Sequence, residues 1–476
     1  MSITVISLRW GDKRDNFAPM SEFSCIVMAA GKGTRMKTPL PKVVHPVAGR
    51  PMIERVLRAV QGAGAGEVRV VVGFGEEMVR AVVEPMGAYC FKQKEQRGTA
   101  DAVRSAEPET LPGEIMILNG DHPLLEVADI KRIRERFRDS KAALAVVTCE
   151  VPEPGGLGRV VRSGGKLRAI VEAKDAGPDV LKIREINTGI YVVKANVLKD
   201  LLPRISNKNA QGEYYLTDLI GLAVEKNLNV EGILAEPRVG MGVNNQAELA
   251  EATAMAFRRK AAALMENGVM MMAPDSVFIE DTVEVGAASM IYPNVFLRGR
   301  TKLGASCVVE TGSVLTDAVV ADGVHIKAGC YVQEARVSAG VEMGPYAHLR
   351  PGTEIGQDCK VGNFVEMKKV KFGKGAKASH LTYLGDAEIG ENTNIGCGTI
   401  TCNYAADRKK YVTKIGKDVF VGSDSQFVAP VTVGDGAVIG SGSTITKDVP
   451  AGALAVARAK QFIKENYVPA APKKKD

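Results

Sequence analysis

Apolar residues recur at every sixth position over long stretches of the C-terminal half. From Val285 the step lands on Ile291, Leu297, Leu303, Val309 and Leu315. A second register runs Met343, Leu349, Ile355, Val361 and Met367; a third runs Ile415, Val421, Phe427, Val433, Ile439 and Ile445. Glycine follows the apolar residue at Gly286, Gly304, Gly344, Gly356, Gly362, Gly416, Gly422, Gly434 and Gly440. A step of six fits neither the 3.6-residue period of a helix nor the alternation of a long strand. It predicts a parallel β-helix, each hexapeptide forming one flat side of a coil with the apolar residue pointing inward and glycine relaxing the corner dihedrals. The rhythm breaks over 368–390 and again over 402–412, and long loops on a rigid solenoid are typical places for a site.

The N-terminal half reads differently. SCIVMA (24–29), VRVVV (68–72), IMILN (115–119) and ALAVVT (143–148) are apolar runs of strand length, separated by helix-like stretches such as Met52–Ala63 and Ala100–Ala106. Such alternation predicts a mostly parallel, Rossmann-like α/β sheet. Residues 244–268, rich in Ala, Glu, Lys and Leu and free of proline, predict one long helix ended by Gly268. The expected plan is an extension (1–22), an α/β domain (23–243), a linking helix (244–268), the β-helix (269–460) and a solvated tail (461–476).

Composition narrows the class. In 476 residues, 62 Lys and Arg stand against 55 Asp and Glu, a net charge of +7 that excludes a dedicated nucleic-acid-coating protein. With 45% apolar and 25% charged residues the chain reads as globular. No apolar run approaches the roughly 18 residues of a membrane helix, and the first residues lack a small-residue cleavage site. The eight cysteines form no CxxC pair, so neither a zinc site nor a disulfide framework is indicated. A reduced, cytoplasmic protein is expected.

The first apolar strand runs into AAGKGTRMKTPLPK (29–42). Gly31 and Gly33 let the backbone approach a phosphate, and Lys32, Arg35 and Lys42 supply cations. Glycines alone would indicate an ordinary turn; their place after the first strand, with three cations, favours phosphate. The segment is neither a Walker loop nor a dinucleotide fingerprint. In NGDHPL (119–124), Asp121 follows a strand end, the rim where open α/β sheets bind ligands, and could hold Mg²⁺. A lone Asp in such a turn is more often a turn former.

Taken with QRGTADA (96–102), GLGRV (156–160), IVEAKDA (170–176), INTGIY (186–191), NAQGEYYLTD (209–218) and GVNN (242–245), these segments resemble the nucleoside-diphosphate-sugar pyrophosphorylases over about 24–250. NAQGEYYLTD and the downstream repeats make the resemblance narrower, to the bifunctional N-acetylglucosamine-1-phosphate uridylyltransferase/glucosamine-1-phosphate acetyltransferase family. That resemblance implies nucleotide contacts from Met28, Ala29, Ala30 and Gly31, with Gln93, Gly98 and Thr99 on the uracil side. Arg35 and Lys42 would bind the UTP triphosphate, Asp121 and Asn244 would hold Mg²⁺, and Gly158, Glu172 and Asn187 the sugar. Bringing a sugar phosphate against UTP requires cations to offset the gathered charge, and no protein nucleophile. Asn119 departs from the bulkier Tyr that close relatives often carry.

His380 is one of five histidines, with Arg350, Lys368 and Lys369 before it and Tyr383 after it. A lone surface His is usually inert, but cations suit a phosphorylated substrate and a neutral imidazole can take a proton from an attacking amine. RPGTEIG, GNFVEMKK, HLTYLGDAEIG, GTITCNY and VFVGSDSQFVAPVTVG resemble the acetyltransferase half of the same family, whose coil is left-handed. By that resemblance His380 is the general base, Arg350, Lys368, Tyr383 and Asn394 hold the sugar phosphate, and Cys397, Asn403, Tyr404, Ser423, Ser441 and Arg458 contact acetyl-CoA. Cys397 stands where relatives commonly carry Ala, and Ala405-Ala406 where they carry Asp-Gly. The resemblance further implies a homotrimer with acetyltransferase sites at subunit contacts, small-molecule substrates (UTP, acetyl-CoA, glucosamine-1-phosphate), no nucleic acid, no membrane insertion, and UDP-N-acetylglucosamine for bacterial envelope polymers as product. Two alternatives remain: a single-activity pyrophosphorylase whose β-helix is structural, and a non-catalytic scaffold.

Overall fold

The computed structural model describes residues 23–469; the extension 1–22 and the lysine triplet of the tail lie outside the described residues. The chain divides into two compact units after Ala256.

In the first unit, β1 (Phe23–Met28), β2 (Ala65–Val72), β3 (Tyr89–Lys92) and β4 (Glu114–Asn119) lie parallel, with β1 flanked by β2 and β4. β5 (Leu144–Glu150), β6 (Arg159–Ser163), β7 (Lys166–Val171), β8 (Glu185–Lys194) and β9 (Val230–Leu234) complete a sheet of order β9-β5-β8-β4-β1-β2-β3, with β6 and β7 as an antiparallel offshoot of β8. The expected mostly parallel sheet is present, but β8 runs antiparallel to both β4 and β5. Consecutive strand residues serve opposite faces: Val27, Val70 and Leu118 pack with Ile53, Val56 and Val60 of α1 (Met52–Gly62), whereas Ile26, Val71 and Ile117 pack with Val103 of α2 (Thr99–Ser105). Both faces are covered, which is why these strands read as unbroken apolar runs. Among the strands after Glu150, β6 escaped notice because the charges in RVVRS interrupt its apolar pattern.

α3 (Gln246–Glu266) occupies the stretch read as a linker, and the division between the units falls inside it.

The second unit is a parallel coil of short strands. Sixteen of the seventeen six-step positions are buried, and Val285 packs partly buried against them. Phe296 pairs with Val314, eighteen residues on, where three hexapeptides complete a turn; Val314 pairs with Tyr331, seventeen on, because one side has lost a residue. That contraction hid a continuing core (Val320, Ile326, Val332 and Val337) between the first and second registers.

Two expectations are corrected. The first concerns the break over 368–390. β10 (Lys360–Phe372) and β11 (Lys377–Ile389) pair from Lys360–Lys377 to Phe372–Ile389 without leaving the coil. Five-residue sides ending at Phe372 and Ile389 displaced the step by one and only mimicked a loop; the excursion lies after Cys402, where Tyr404 bridges to Lys410. The second concerns the glycines after the core residues. Only Gly344 among those nine has a positive φ. Their reason is space: a Cβ at Gly362 would fall 1.8 Å from the Ser379 carbonyl oxygen, and one at Gly422 would fall 2.5 Å from the Ser441 amide nitrogen.

Candidate functional site

In the first unit the phosphate side is built where β1 and β4 end. Gly33 sits at φ 59°, and a Cβ there would lie 2.6 Å from Lys42 Cβ, so the loop closes directly over the Lys42 stem. Nothing lies within 4 Å of where a Gly31 Cβ would be, leaving that backbone open to an incoming anion. His45 accepts from or donates to Thr38 Oγ1 at 2.9 Å and bonds the Lys42 carbonyl through Nδ1 at 3.1 Å, which steadies the segment carrying Lys42. Lys42 Nζ donates to Asp121 Oδ2 and, at 3.1 Å, to Asn244 Oδ1; Arg35 Nη2 donates to the same Asn244 oxygen at 3.0 Å. The Val243 amide donates to the Asp121 carbonyl, bringing Asn244 to a residue far away in the chain.

Asp121 is buried, which by itself would raise its carboxyl, but Lys42 and His122 outweigh burial and hold it below its ordinary value. Burial pushes the neighbouring His122 below its ordinary value, against the pull of Asp121. Asp121 Oδ1 is buried with no hydrogen-bond partner among the described residues. An unpartnered carboxylate oxygen beside an amide oxygen fits a hard divalent cation, which takes one or two protein oxygens and completes its shell with substrate phosphates. Consistent with that, no cluster of three or more acidic, His or Cys side chains able to hold a metal alone exists among the described residues.

The nucleoside side adjoins this loop. Ala29 and Ala30 are buried at the end of β1, and Met28 is half-buried beside Asn119 of β4. Gln96 Nε2 donates to the Ala30 carbonyl at 2.5 Å. Gln93 Nε2 donates to Asp101 at 3.0 Å and to the Gly98 carbonyl at 3.3 Å. Gly98 takes φ 113°, and a Cβ there would strike the Tyr214 carbonyl oxygen at 2.5 Å; Thr99 Oγ1 accepts from the Leu216 amide.

The sugar side has hydrogen bonds of its own. The Asn187 amide donates to the Gly158 carbonyl, and Asn187 Nδ2 donates to Tyr191 Oη at 3.0 Å. A Cβ on Gly158 would lie 3.4 Å from Glu172 Oε1. Thr217 Oγ1 donates to that oxygen, while burial, followed by Asp175, Asp218 and Glu213, pushes the Glu172 carboxyl above its ordinary range. Asn119 packs against Gly189, where any Cβ would fall 2.3 Å from its amide nitrogen, so it stands between the two halves. Arg35, Lys42, Asp121 and Asn244 are thus joined by hydrogen bonds, while the nucleoside-side and sugar-side residues form separate hydrogen-bonded groups in the same unit.

The coil arranges its candidates by register. Phe364, Leu381, Gly398, Asp424 and Gly442 turn successive corners at positive φ. The residues just before them (Asn363, His380, Cys397, Ser423 and Ser441) stack into a column along the coil axis. Gly398 N donates to the Leu381 carbonyl, Asp424 N to that of Cys397 and Gly442 N to that of Ser423; Arg458 Nη1 donates to the Ser441 carbonyl at 2.7 Å. At about 4.8 Å per coil the stretch from His380 to Arg458 extends roughly 20 Å, room for a long, extended acyl carrier. His380 is exposed, and its Nδ1 bonds Asn363 Oδ1 at 3.0 Å.

A second corner carries charge. Arg350 pairs with Glu366 at 2.8 Å. The Lys410 ammonium lies against that of Lys368 and, with Arg350 adding, holds Lys368 below its usual value. Crowded cations favour an anion between them. Lys410 went unnoticed in the sequence because the RKK run of the excursion looks like any solvated lysine cluster. Asn403 Nδ2 donates to Asp386 and anchors the start of the excursion, with Tyr404 exposed beyond it. Tyr383 lies on the side between the two corners, paired with Glu366 and Ile400. Asn394 lies on another side, paired with Lys377 and Phe420. One chain thus does not gather the whole expected set: the His380 column with Asn394, and the Arg350–Lys368 corner with Asn403 and Tyr404, stand apart.

Comparison with known proteins gives matching assignments. A MobA-like NTP transferase domain model matches residues 25–182, and a bacterial transferase hexapeptide (six repeats) model matches 413–447. A protein of Bdellovibrio bacteriovorus named bifunctional protein GlmU is 63% identical over 442 residues, covering 93% of this chain and 96% of that protein. Proteins of the same name from Trichlorobacter lovleyi (46%; 94% and 98% covered) and Carboxydothermus hydrogenoformans (44%; 93% and 99% covered) are also similar.

Proposed function

The chain belongs to the bifunctional GlmU family, and from that premise we propose that its two site regions perform two successive transfers with the residues assigned below. The protein synthesises UDP-N-acetylglucosamine: it N-acetylates glucosamine-1-phosphate, then transfers uridylyl from UTP to N-acetylglucosamine-1-phosphate with release of pyrophosphate. The single-activity alternative lapses because the relatives match both units.

For acetyl transfer, the amine of glucosamine-1-phosphate attacks the thioester carbon of acetyl-CoA. The C–N bond forms, the C–S bond breaks, and the amine proton passes to His380. Arg350, Lys368 and Tyr383 hold the sugar phosphate, joined by Lys410, and Asn394 completes its contacts. Cys397, Ser423, Ser441 and Arg458 line the acyl carrier, with Asn403 and Tyr404 closing on it. His380, Cys397, Ser423 and Ser441 at one corner and Arg350, Lys368, Asn403 and Tyr404 at another stand apart on one coil, which supports a homotrimer whose sites each draw a corner from two copies.

For uridylyl transfer, Met28, Ala29, Ala30, Gly31, Gln93, Gly98 and Thr99 seat the nucleoside, while Gly158, Glu172 and Asn187 seat the sugar. Asp121 and Asn244 would hold Mg²⁺, which supplies charge neutralisation between triphosphate and sugar phosphate. Lys42 and Arg35 then exchange their hold on Asp121 and Asn244 for phosphate oxygens, stabilising the charge that develops on the α-phosphorus and the departing pyrophosphate. No helix among the described residues is long and apolar enough to cross a membrane, and we place the reaction in the cytoplasm.

The observation that carries this reading is that one coil holds both the His380 column and, at another corner, the cationic cluster of Arg350, Lys368 and Lys410. The test measures CoA thiol release and pyrophosphate release for His380→Ala and Asp121→Ala. His380→Ala should lose about 10²–10⁴-fold in acetyl transfer with pyrophosphate release intact, and Asp121→Ala should do the reverse. Acetyl transfer undiminished in His380→Ala would sink the assignment.

A further inference from the structure

We propose that Asn363 is a positioning residue for acetyl transfer: its amide oxygen holds His380 in the tautomer protonated at Nδ1, leaving the Nε2 lone pair for the substrate amine. This rests on the reading of His380 as general base and deepens it.

Four observations converge. Asn363 and His380 are register partners on β10 and β11. Each immediately precedes a corner residue of positive φ, Phe364 at 56° and Leu381 at 29°, so matching turns launch both side chains from the same corner. Gly362 lets the two coils approach here with no Cβ between its Cα and the Ser379 carbonyl. The bond itself is 3.0 Å, and Thr382 Oγ1 donates to the His380 carbonyl at 2.7 Å, steadying the backbone beneath the ring.

The chemistry follows from the partner's type. An amide oxygen only accepts, so the ring nitrogen facing it must carry the proton, and the other nitrogen must be the base. A carboxylate in the same place would orient the ring equally well but would favour the imidazolium, which cannot take a proton. The neutral amide orients without charging. His380 is exposed, and without this bond the ring would rotate freely and populate the form protonated at Nε2 that unconstrained imidazole prefers.

The test uses the full chain with ¹⁵N-labelled histidine. His380→Gln identifies the His380 resonance among the five histidines, and spectra are taken at alkaline pH where imidazole is neutral. Wild type should show His380 as the Nδ1–H tautomer. Asn363→Ala should move it toward Nε2–H and lower kcat for acetyl transfer about tenfold to a hundredfold, a scale typical of orienting partners. KM for acetyl-CoA and for glucosamine-1-phosphate, and pyrophosphate release by the first unit, should stay within about twofold. Asn363→Asp retains the acceptor and should retain the Nδ1–H form. An unchanged tautomer in Asn363→Ala overturns the inference, even if kcat falls. Acetyl transfer that survives His380→Ala overturns instead the reading beneath it.

Discussion

The two site regions solve the problem of anionic substrates in opposite ways. In the α/β unit the charges are already paired: Lys42 is bonded to Asp121, and Asn244 caps both Lys42 and Arg35. Binding there is an exchange of partners, with phosphates and a cation replacing bonds the protein makes with itself. On the coil, Lys410 and Arg350 outweigh Asp386 in the field at Lys368, and Glu366 pairs with Arg350. That corner is relieved by an anion. A sheet rim, whose loops can reach back over long chain distances, can build self-satisfied networks; this coil corner gathers its cations from neighbouring coils and from the excursion after Cys402.

The sharpest way to break this comparison is Lys410→Ala. A charge-assisted contact of roughly 1.5–3 kcal/mol should be lost, so KM for glucosamine-1-phosphate should rise about tenfold to a hundredfold. Thermal stability should not fall, because the variant removes a repulsion. Steady-state kinetics with a melting curve checks both; a stability loss would mean that the corner is not repulsive.

Glycine replacements separate the units by a different physics. Gly422→Ala places a methyl 2.5 Å from backbone of the next coil, and it should cost about 1–3 kcal/mol of stability. Gly31→Ala meets nothing within 4 Å and should leave the melting temperature alone while weakening UTP binding. Thermal unfolding beside UTP titration decides whether each glycine serves the fold or the ligand.

The smallest effect is expected at Glu172. Because burial raises its folded-state pKa above the unfolded one, the neutral acid is the form the fold favours. Its contribution to stability is present below the unfolded-state pKa and is lost as pH rises through the folded value. Glu172→Gln should therefore melt above wild type at neutral pH, with the gap closing in acid. The ionised carboxylate accepts from sugar hydroxyls, so KM for N-acetylglucosamine-1-phosphate in wild type should climb a few-fold on acidification; in the variant it should be higher and flat. A wild-type profile with no acidic limb would remove Glu172 from sugar binding.

Much of this molecule could be read before folding was known, and the misreadings share a cause. The six-residue step located sixteen buried positions because inward packing is a local, periodic demand on side-chain type. It failed over 368–390 because a side shortened by one residue changes the count but not the coil, which backbone pairing alone reveals. Asp121 could be suspected from its place after a strand, yet its bond to Lys42 and its unpartnered Oδ1 follow from where the 243–244 segment returns. Lys410 had no signal of its own, since lysines in a loop look alike until one is laid against Lys368.

The order of residues alone determined the architecture of both units, the hexapeptide core, the phosphate loop and the motifs that carry the family resemblance. These depend on local steric and hydrophobic requirements repeated along the chain. Only the tertiary structure decided which side chains meet: Asn363 bonds His380, Asn244 bonds Lys42, and Lys410 comes close to Lys368. Hydrogen bonding and charge act over a few ångströms in space, and no pattern along the chain measures that distance.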